Sequence, residues 1–200
     1  MSANNKNKWI SDIINSETKK PMPILSFPGV QIIGVTVNEL SKNGLLQAEC
    51  MKTIAGRYDA LASVTLMDLS VEAEAFGGPV IFSDDEVPTV TQRIVEDIDG
   101  TDKLKIPEIG AARTGEYIKT VREAKKSITD RPVFAGAIGP FSLAGRLMDM
   151  TEIMISAIEE PEVVHIVLEK VTEFIINYAL EFKKAGADGI IFAEPAAGLL

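Results

Sequence analysis

VTLMDLSVEAEAFGGPVIF (residues 64–82) decides how this chain is read. An apolar run, ASVTLM at 62–67, stops at Asp68, and two more acids, Glu72 and Glu74, follow among Val, Ala and Phe. A run of that length with β-branched residues predicts a strand buried on both faces. Residues 70–76 then predict a helical turn that ends at Gly77-Gly78, and PVIF (79–82) predicts a second short strand. An acid at the point where a buried strand gives way to a helix has two readings. It caps the helix N-terminus, or it belongs to a site built at the strand's C-terminal end.

The same grammar recurs further along. PVFAGAIGP (132–140) predicts a strand running into a turn at Gly139-Pro140, and DGIIFAEP (188–195) predicts a strand closed by Glu194-Pro195. Helices are expected at 7–16, at 41–58 with Ser41 as cap, at 110–128, across FSLAGRLMDM and TEIMISAIEE, and at 161–184. Pro161 suits a first helical turn and Gly186 a helix end. Residues 83–108 read as a long polar excursion. Strand, helix, strand, helix, strand with continuous apolar strands means an α/β fold with a parallel sheet. A (β/α)8 barrel and a doubly wound sheet both fit, and no Gly-x-Gly-x-x-Gly or Walker pattern follows any strand. In either fold the strand C-termini share one face, so 64–67, 134–138 and 190–193 should lie parallel with Asp68, Gly139 and Glu194 at one end. If 70–76 is helical, Glu72 lies one turn on from Asp68, on the same side. Glu74, about 200° away around that helix, should point elsewhere. The expected site is an open cleft lined by Asp68 and Glu72.

Composition removes several classes of function. The chain has 200 residues, 46% of them hydrophobic, which is enough for a sizeable core. A net charge of −9 argues against a nucleic-acid partner, which needs a basic face. No apolar run reaches the roughly 18 to 20 residues of a membrane span. The polar start, MSANNKNKWISDIINSETKK, lacks the core of a signal peptide. One cysteine, Cys50, permits no internal disulfide, so a reducing, cytoplasmic setting is expected. Cys50 reads as a small core residue, and His165, with Glu162 and Glu169 at helical spacing, as part of a solvated face. Arg57, Arg93, Arg113 and Arg146 form no cluster along the chain.

Three segments carry a resemblance. MDLSVEAEAFGGPVIFSDDEVPTV, AGAIGPFSLAGRLMD and AGADGIIFAEPAAGLL together resemble the uroporphyrinogen decarboxylase superfamily. They are most similar to its branch of methylated-corrinoid-protein:coenzyme M-type methyltransferases. The resemblance covers residues from about 20 onward, with 1–20 as an N-terminal helix or extension and 21–200 as the N-terminal portion of a (β/α)8 barrel. Such a barrel takes about 250 residues, so the chain is expected to be part of a larger protein.

The resemblance implies a methyltransferase that moves a methyl group from a methylated corrinoid, carried by a corrinoid protein, to a small thiol such as coenzyme M. It implies zinc, held through a His-x-Cys pair and a later Cys expected beyond Leu200. Asp68 stands where the decarboxylases keep the aspartate that contacts pyrrole N–H groups, and is the expected catalytic residue. Glu72, Gly139, Pro140 and Glu194 are the expected substrate-binding residues. The decarboxylases also carry an Arg-Gln-Ala-Gly-Arg stretch near the N-terminus that grips substrate carboxylates. Here that region reads SFPGVQIIGVT (26–36), without an arginine. A uroporphyrinogen decarboxylase-like lyase is therefore the alternative, and a non-catalytic corrinoid-binding module a further one.

Overall fold

A computed structural model describes residues 3–199, with side chains described for 7–198. Helix α1 (Ala3–Asn15) is followed by α2 (Ser26–Ile33), α3 (Val37–Lys42) and α4 (Gly44–Arg57). Strand β1 (Ser63–Val64) leads into the short helix α5 (Val71–Ala75). Strands β2 (Val80–Ile81) and β3 (Thr89–Val90), helix α6 (Ile98–Lys103) and helix α7 (Thr114–Ser127) come next. Strand β4 (Val133–Ile138), helices α8 (Pro140–Met148), α9 (Met150–Glu159) and α10 (Pro161–Ala185), and strand β5 (Gly189–Ala193) complete the order, with a final 3₁₀ turn at Ala197–Leu199.

Strands β1, β4 and β5 form one sheet in the order β1-β4-β5, and every pairing is parallel. Ser63 pairs with Val133 and Phe134 with Gly189, so the three C-terminal ends open on one face as expected. Helix α10 covers the sheet with an apolar stripe at helical spacing: Val163, Val167, Val171, Phe174, Tyr178 and Phe182 are all buried. Its Phe174 meets Phe76, at the end of α5, at 5.2 Å, and its Tyr178 packs on Phe182 at 4.3 Å. Pro161 sits in the first turn and Gly186, at φ 103°, ends the helix by donating its N–H to the Lys183 carbonyl. At the opposite end of the strands, Trp9 of α1 meets Phe134 edge-on at 5.6 Å.

Three local expectations are corrected. The helix expected over 41–58 is two helices, and Asn43, not Ser41, is the cap: its Oδ1 accepts from the Leu45 and Leu46 N–H groups at 3.0 and 3.3 Å. Ser41 lies in the last turn of α3 instead, its hydroxyl donating back to the Asn38 carbonyl. Gly44 follows because a Cβ there would lie 2.3 Å from the Glu116 carbonyl oxygen.

Strand β1 is shorter than 62–67. Its ladder ends when the Gly136 N–H turns to the Thr65 hydroxyl at 2.8 Å, and the Met67 thioether occupies the space above Gly136. The PVIF strand does not join the parallel sheet. Gly77, at φ 96°, reverses the chain, and Val80 pairs antiparallel with Val90 in a separate hairpin that overhangs the strand ends.

Candidate active site at the strand ends

Glu194 follows β5 and reaches across to the start of α8. Its Oε2 accepts the Phe141 N–H at 2.9 Å, and its Oε1 accepts the Ser142 N–H at 2.8 Å together with the Ser142 hydroxyl. A carboxylate there meets N–H groups that have no partner within the helix, at the positive end of the helix dipole. Gly139 makes room for it, since a Cβ at that position would lie 2.1 Å from Glu194 Oε2, and Pro140 takes the first helical position. Gly139, Pro140 and Glu194 therefore form one latch that ties β5 to α8.

Asp68 closes β1 in a different way. Its Oδ1 accepts from the Ser70 N–H at 3.0 Å and the Ser70 hydroxyl at 2.6 Å. Its Oδ2 forms a close ion pair with Arg113 Nη1 and accepts from the Tyr117 hydroxyl at 3.2 Å. Arg113 lies just before α7, is only 6% exposed, and also pairs through Nε with Glu74 and through Nη2 with the Ser70 hydroxyl. The Phe82 ring covers the guanidinium, 4.8 Å from Cζ. Glu74 thus does not point away from Asp68: the two acids share one arginine. The separation of 45 positions between Asp68 and Arg113 kept this pairing out of any local pattern, and the polar AARTGEY context of Arg113 gave no sign of burial.

Glu72 completes the buried group. It is 2% exposed, its Oε1 accepts the Ile138 N–H at 3.1 Å, and its Oε2 has no hydrogen-bond partner among the described residues. Burial pushes its carboxyl up to about 7, the Ile138 N–H opposes that rise, and the nearby Asp68 charge adds to it. The Tyr117 and Tyr178 hydroxyls beside it are pushed up by burial as well.

A cleft of about 300 Å³ opens directly above these groups. Leu69, from the turn after Asp68, and Ile138, Pro195 and Ala196, at or just past the ends of β4 and β5, form its floor. Helix α8 gives one wall through Ser142, Gly145 and Arg146, continued by Asp149 and Met150, and residues 90–93 after the hairpin give the other. None of Asp68, Glu72, Gly139, Pro140 and Glu194 lines it. The expectation that Asp68 and Glu72 line an open cleft is corrected accordingly. They lie under its floor, because Arg113, Tyr117 and Ser70 hold Asp68 from within, and Leu69 and Ile138 intervene. The structure brings the three strand-end turns together while putting their neighbours, rather than the acids themselves, on the surface. Arg93 and Arg146, unclustered in sequence, face the same cavity.

Among the described residues no group of three or more His, Cys, Asp or Glu side chains is placed to hold a metal ion. Cys50 is fully buried, its thiol pushed up to about 11 by burial with Glu49 adding, and its Sγ faces the Ser26 carbonyl. His165 is exposed on α10. These two do not make a zinc site, so the described residues do not fit that metal by themselves. No helix among the described residues is long and apolar enough to cross a membrane.

Comparison with known proteins bears on the same segments. The family model described as uroporphyrinogen decarboxylase (URO-D) matches residues 21–200. The methylcobamide:CoM methyltransferase MtbA of Methanosarcina mazei is 30% identical over 132 residues, covering 65% of this chain and 39% of that protein. The uroporphyrinogen decarboxylase of Klebsiella pneumoniae is 28% identical over 168 residues, covering 80% of this chain and 47% of that protein. The chain therefore spans less than half the length of these curated relatives. A solved methyltransferase structure from Methanosarcina mazei superposes with a TM-score of 0.82 at 22% identity, over 96% of this chain and 59% of that one, and shares the fold. The three parallel strands and their helices thus correspond to part of that fold.

Proposed function

The chain belongs to the uroporphyrinogen decarboxylase family, and from that premise we propose that its protein is a methyltransferase carrying a methyl group from a methylated corrinoid protein to a small thiol such as coenzyme M. The observation that carries this reading is the placement of Asp68. A decarboxylase of this family needs that carboxylate against pyrrole N–H groups, whereas here both of its oxygens are taken up from inside by Ser70, Arg113 and Tyr117. The cleft above it, about 300 Å³, lies at the small end of ligand sites and suits a small acceptor. The names of the MtbA relatives support the same branch.

In this reading the cleft receives the thiol. The sulfur forms its bond to the methyl carbon as the methyl–cobalt bond breaks, the electron pair of that bond stays on cobalt, and the thiol proton leaves to solvent. Zinc ligands would come from outside the described residues. Asp68 acts as a positioning residue: it fixes Arg113 and the turn that presents Leu69 to the cleft. Glu72 does the same for Ile138. Gly139, Pro140 and Glu194 set the angle of α8 and hence the wall carrying Ser142 and Arg146. The setting is cytoplasmic, in keeping with a lone buried cysteine.

The test is turnover of the full-length protein with methylcobalamin and a panel of small thiols, followed by loss of the methylcobalamin absorbance and by detection of the methyl thioether. Thioether formation together with reduced cobalamin is the expected result. Release of CO₂ from uroporphyrinogen, with no thioether, assigns the decarboxylase reaction instead.

A further inference from the structure

Six polar side chains line the cleft: Thr91, Gln92, Arg93, Ser142, Arg146 and Asp149. Four of them are engaged within the fold. The Thr91 hydroxyl donates to the Pro79 carbonyl at 3.2 Å, and the Ser142 hydroxyl donates to Glu194. Arg93 is held by Glu96 at 3.3 Å and by Glu152 at 3.2 Å. Asp149 Oδ1 accepts from the Thr151 and Glu152 N–H groups at 2.8 and 3.4 Å, which places its charge on the N-terminus of α9. The two that remain without an internal partner among the described residues are Arg146 and Gln92, and both carry N–H donors.

Arg93 is engaged by two acids, and Asp149 by the N–H groups of α9, so Arg146 is the one charged side chain on the lining without a partner of its own among the described residues. The chain as a whole has a net charge of −9 and repels small anions. A single unpaired guanidinium in a concave site still offers an anion charged donors that no internal acid takes up. Ser142, Gly145, Arg146 and Asp149 recur at i, i+3, i+4 and i+7 along and just past α8, so one helix face carries the guanidinium into the cavity. A planar fork of N–H donors matches two oxygens of one acid group.

We propose that Arg146 is the specificity-determining residue of this cleft, binding the single acid group, carboxylate or sulfonate, of a small anionic thiol, with the Gln92 amide as second donor. The assignment of that anion as a thiol substrate rests on the methyl-transfer reading. The presence of an anion site does not.

Two measurements on the full-length protein separate these. In the first, kcat/KM is compared for 2-mercaptoethanesulfonate, 3-mercaptopropionate and neutral 2-mercaptoethanol with methylcobalamin, in wild type, R146A and R146K. The expected result is a preference for one of the anionic thiols, which identifies the acid group. That preference over the neutral thiol should fall at least about 10-fold in R146A, chiefly through KM, because one partner of a charge pair is gone. R146K, keeping charge but not the fork, should recover part of it.

In the second, binding of ethanesulfonate and of propionate, which lack a thiol, is measured by calorimetry. Binding of one of them to wild type and its loss in R146A is expected. An unchanged anionic-to-neutral ratio in R146A overturns the proposal while leaving thiol methylation in place, and so does failure of wild type to bind either anion. Arg146-dependent anion binding in a protein that methylates no thiol overturns the methyl-transfer reading and leaves the anion site standing.

Discussion

Asp68 and Glu194 are both acids in the turn that follows a parallel strand, Asp68 four residues after β1 and Glu194 directly after β5, and the fold compensates them by unlike means. Glu194 is held by backbone N–H groups of α8 and the Ser142 hydroxyl, all of them neutral donors that follow the neighbouring strand β4. Asp68 is held by a guanidinium brought from 45 residues away and sealed under Phe82. The first arrangement tolerates partial exposure and fixes a helix. The second is stable only while every partner is present, since a buried charge without its counter-charge is strongly unfavourable. The difference teaches that an acid after a strand marks a junction, and that what packs over it decides whether it is accessible.

The largest expected effect comes from breaking the buried side of the comparison. Arg113→Leu leaves Asp68 and Glu74 without their cation and should cost about 3–5 kcal/mol of unfolding free energy, measured by urea denaturation at pH 7. A midpoint unchanged from wild type would show that the pair adds nothing.

Glu72 comes next and is read through pH. Its carboxyl titrates at about 7 in the folded protein, against 4.5 for a free glutamate. The folded state therefore holds a proton that the unfolded chain has lost between those values. Stability from this group is complete below pH 4.5 and is lost as pH rises through 7. The loss amounts to about 3 kcal/mol on linkage. Glu72→Gln should remove that slope, so that wild type and variant diverge between pH 5 and pH 8 on the order of that amount. Parallel pH profiles would mean that Glu72 is already ionised at low pH.

Glu194→Ala unpairs the first turn of α8 on the other side of the comparison and should cost about 1–2 kcal/mol. Glu194→Gln, which keeps the acceptor oxygen, should cost less. The smallest effect belongs to Glu74→Gln. Glu74 is the more exposed of the two acids on Arg113, and its loss leaves the Asp68 pair intact, so about 1 kcal/mol or less is expected. A loss as large as that of Arg113→Leu would make Glu74 the true anchor.

Much of the architecture was legible in sequence because its causes are local. VFAGAI is an apolar run that a covered parallel strand accommodates, GIIFA forms the neighbouring strand although its Phe192 is exposed, and Pro161 and Gly186 bound α10 through fixed φ and a left-handed end. The short turn over 70–76 and its stop at Gly77 were equally local. The break at Asn43 was hidden because LLQAECMKTIAGR continues a helical pattern that the preceding residues also satisfy. What separates α3 from α4 there is the approach of Glu116 to Gly44, a contact across 72 residues.

The amino-acid sequence by itself determined the parallel α/β class, the family resemblance and the three strand-end turns, because each depends on periodicity, backbone preference or a contiguous motif. Only the tertiary structure decided that Asp68 and Glu74 share Arg113, that one Glu72 oxygen has no partner among the described residues, that PVIF turns aside into a hairpin, and that Arg93 and Arg146 line one cleft. The physical reason is range. Steric and hydrogen-bonding rules act over a few residues, whereas burial and charge compensation depend on which distant segments the chain path brings within a few ångströms.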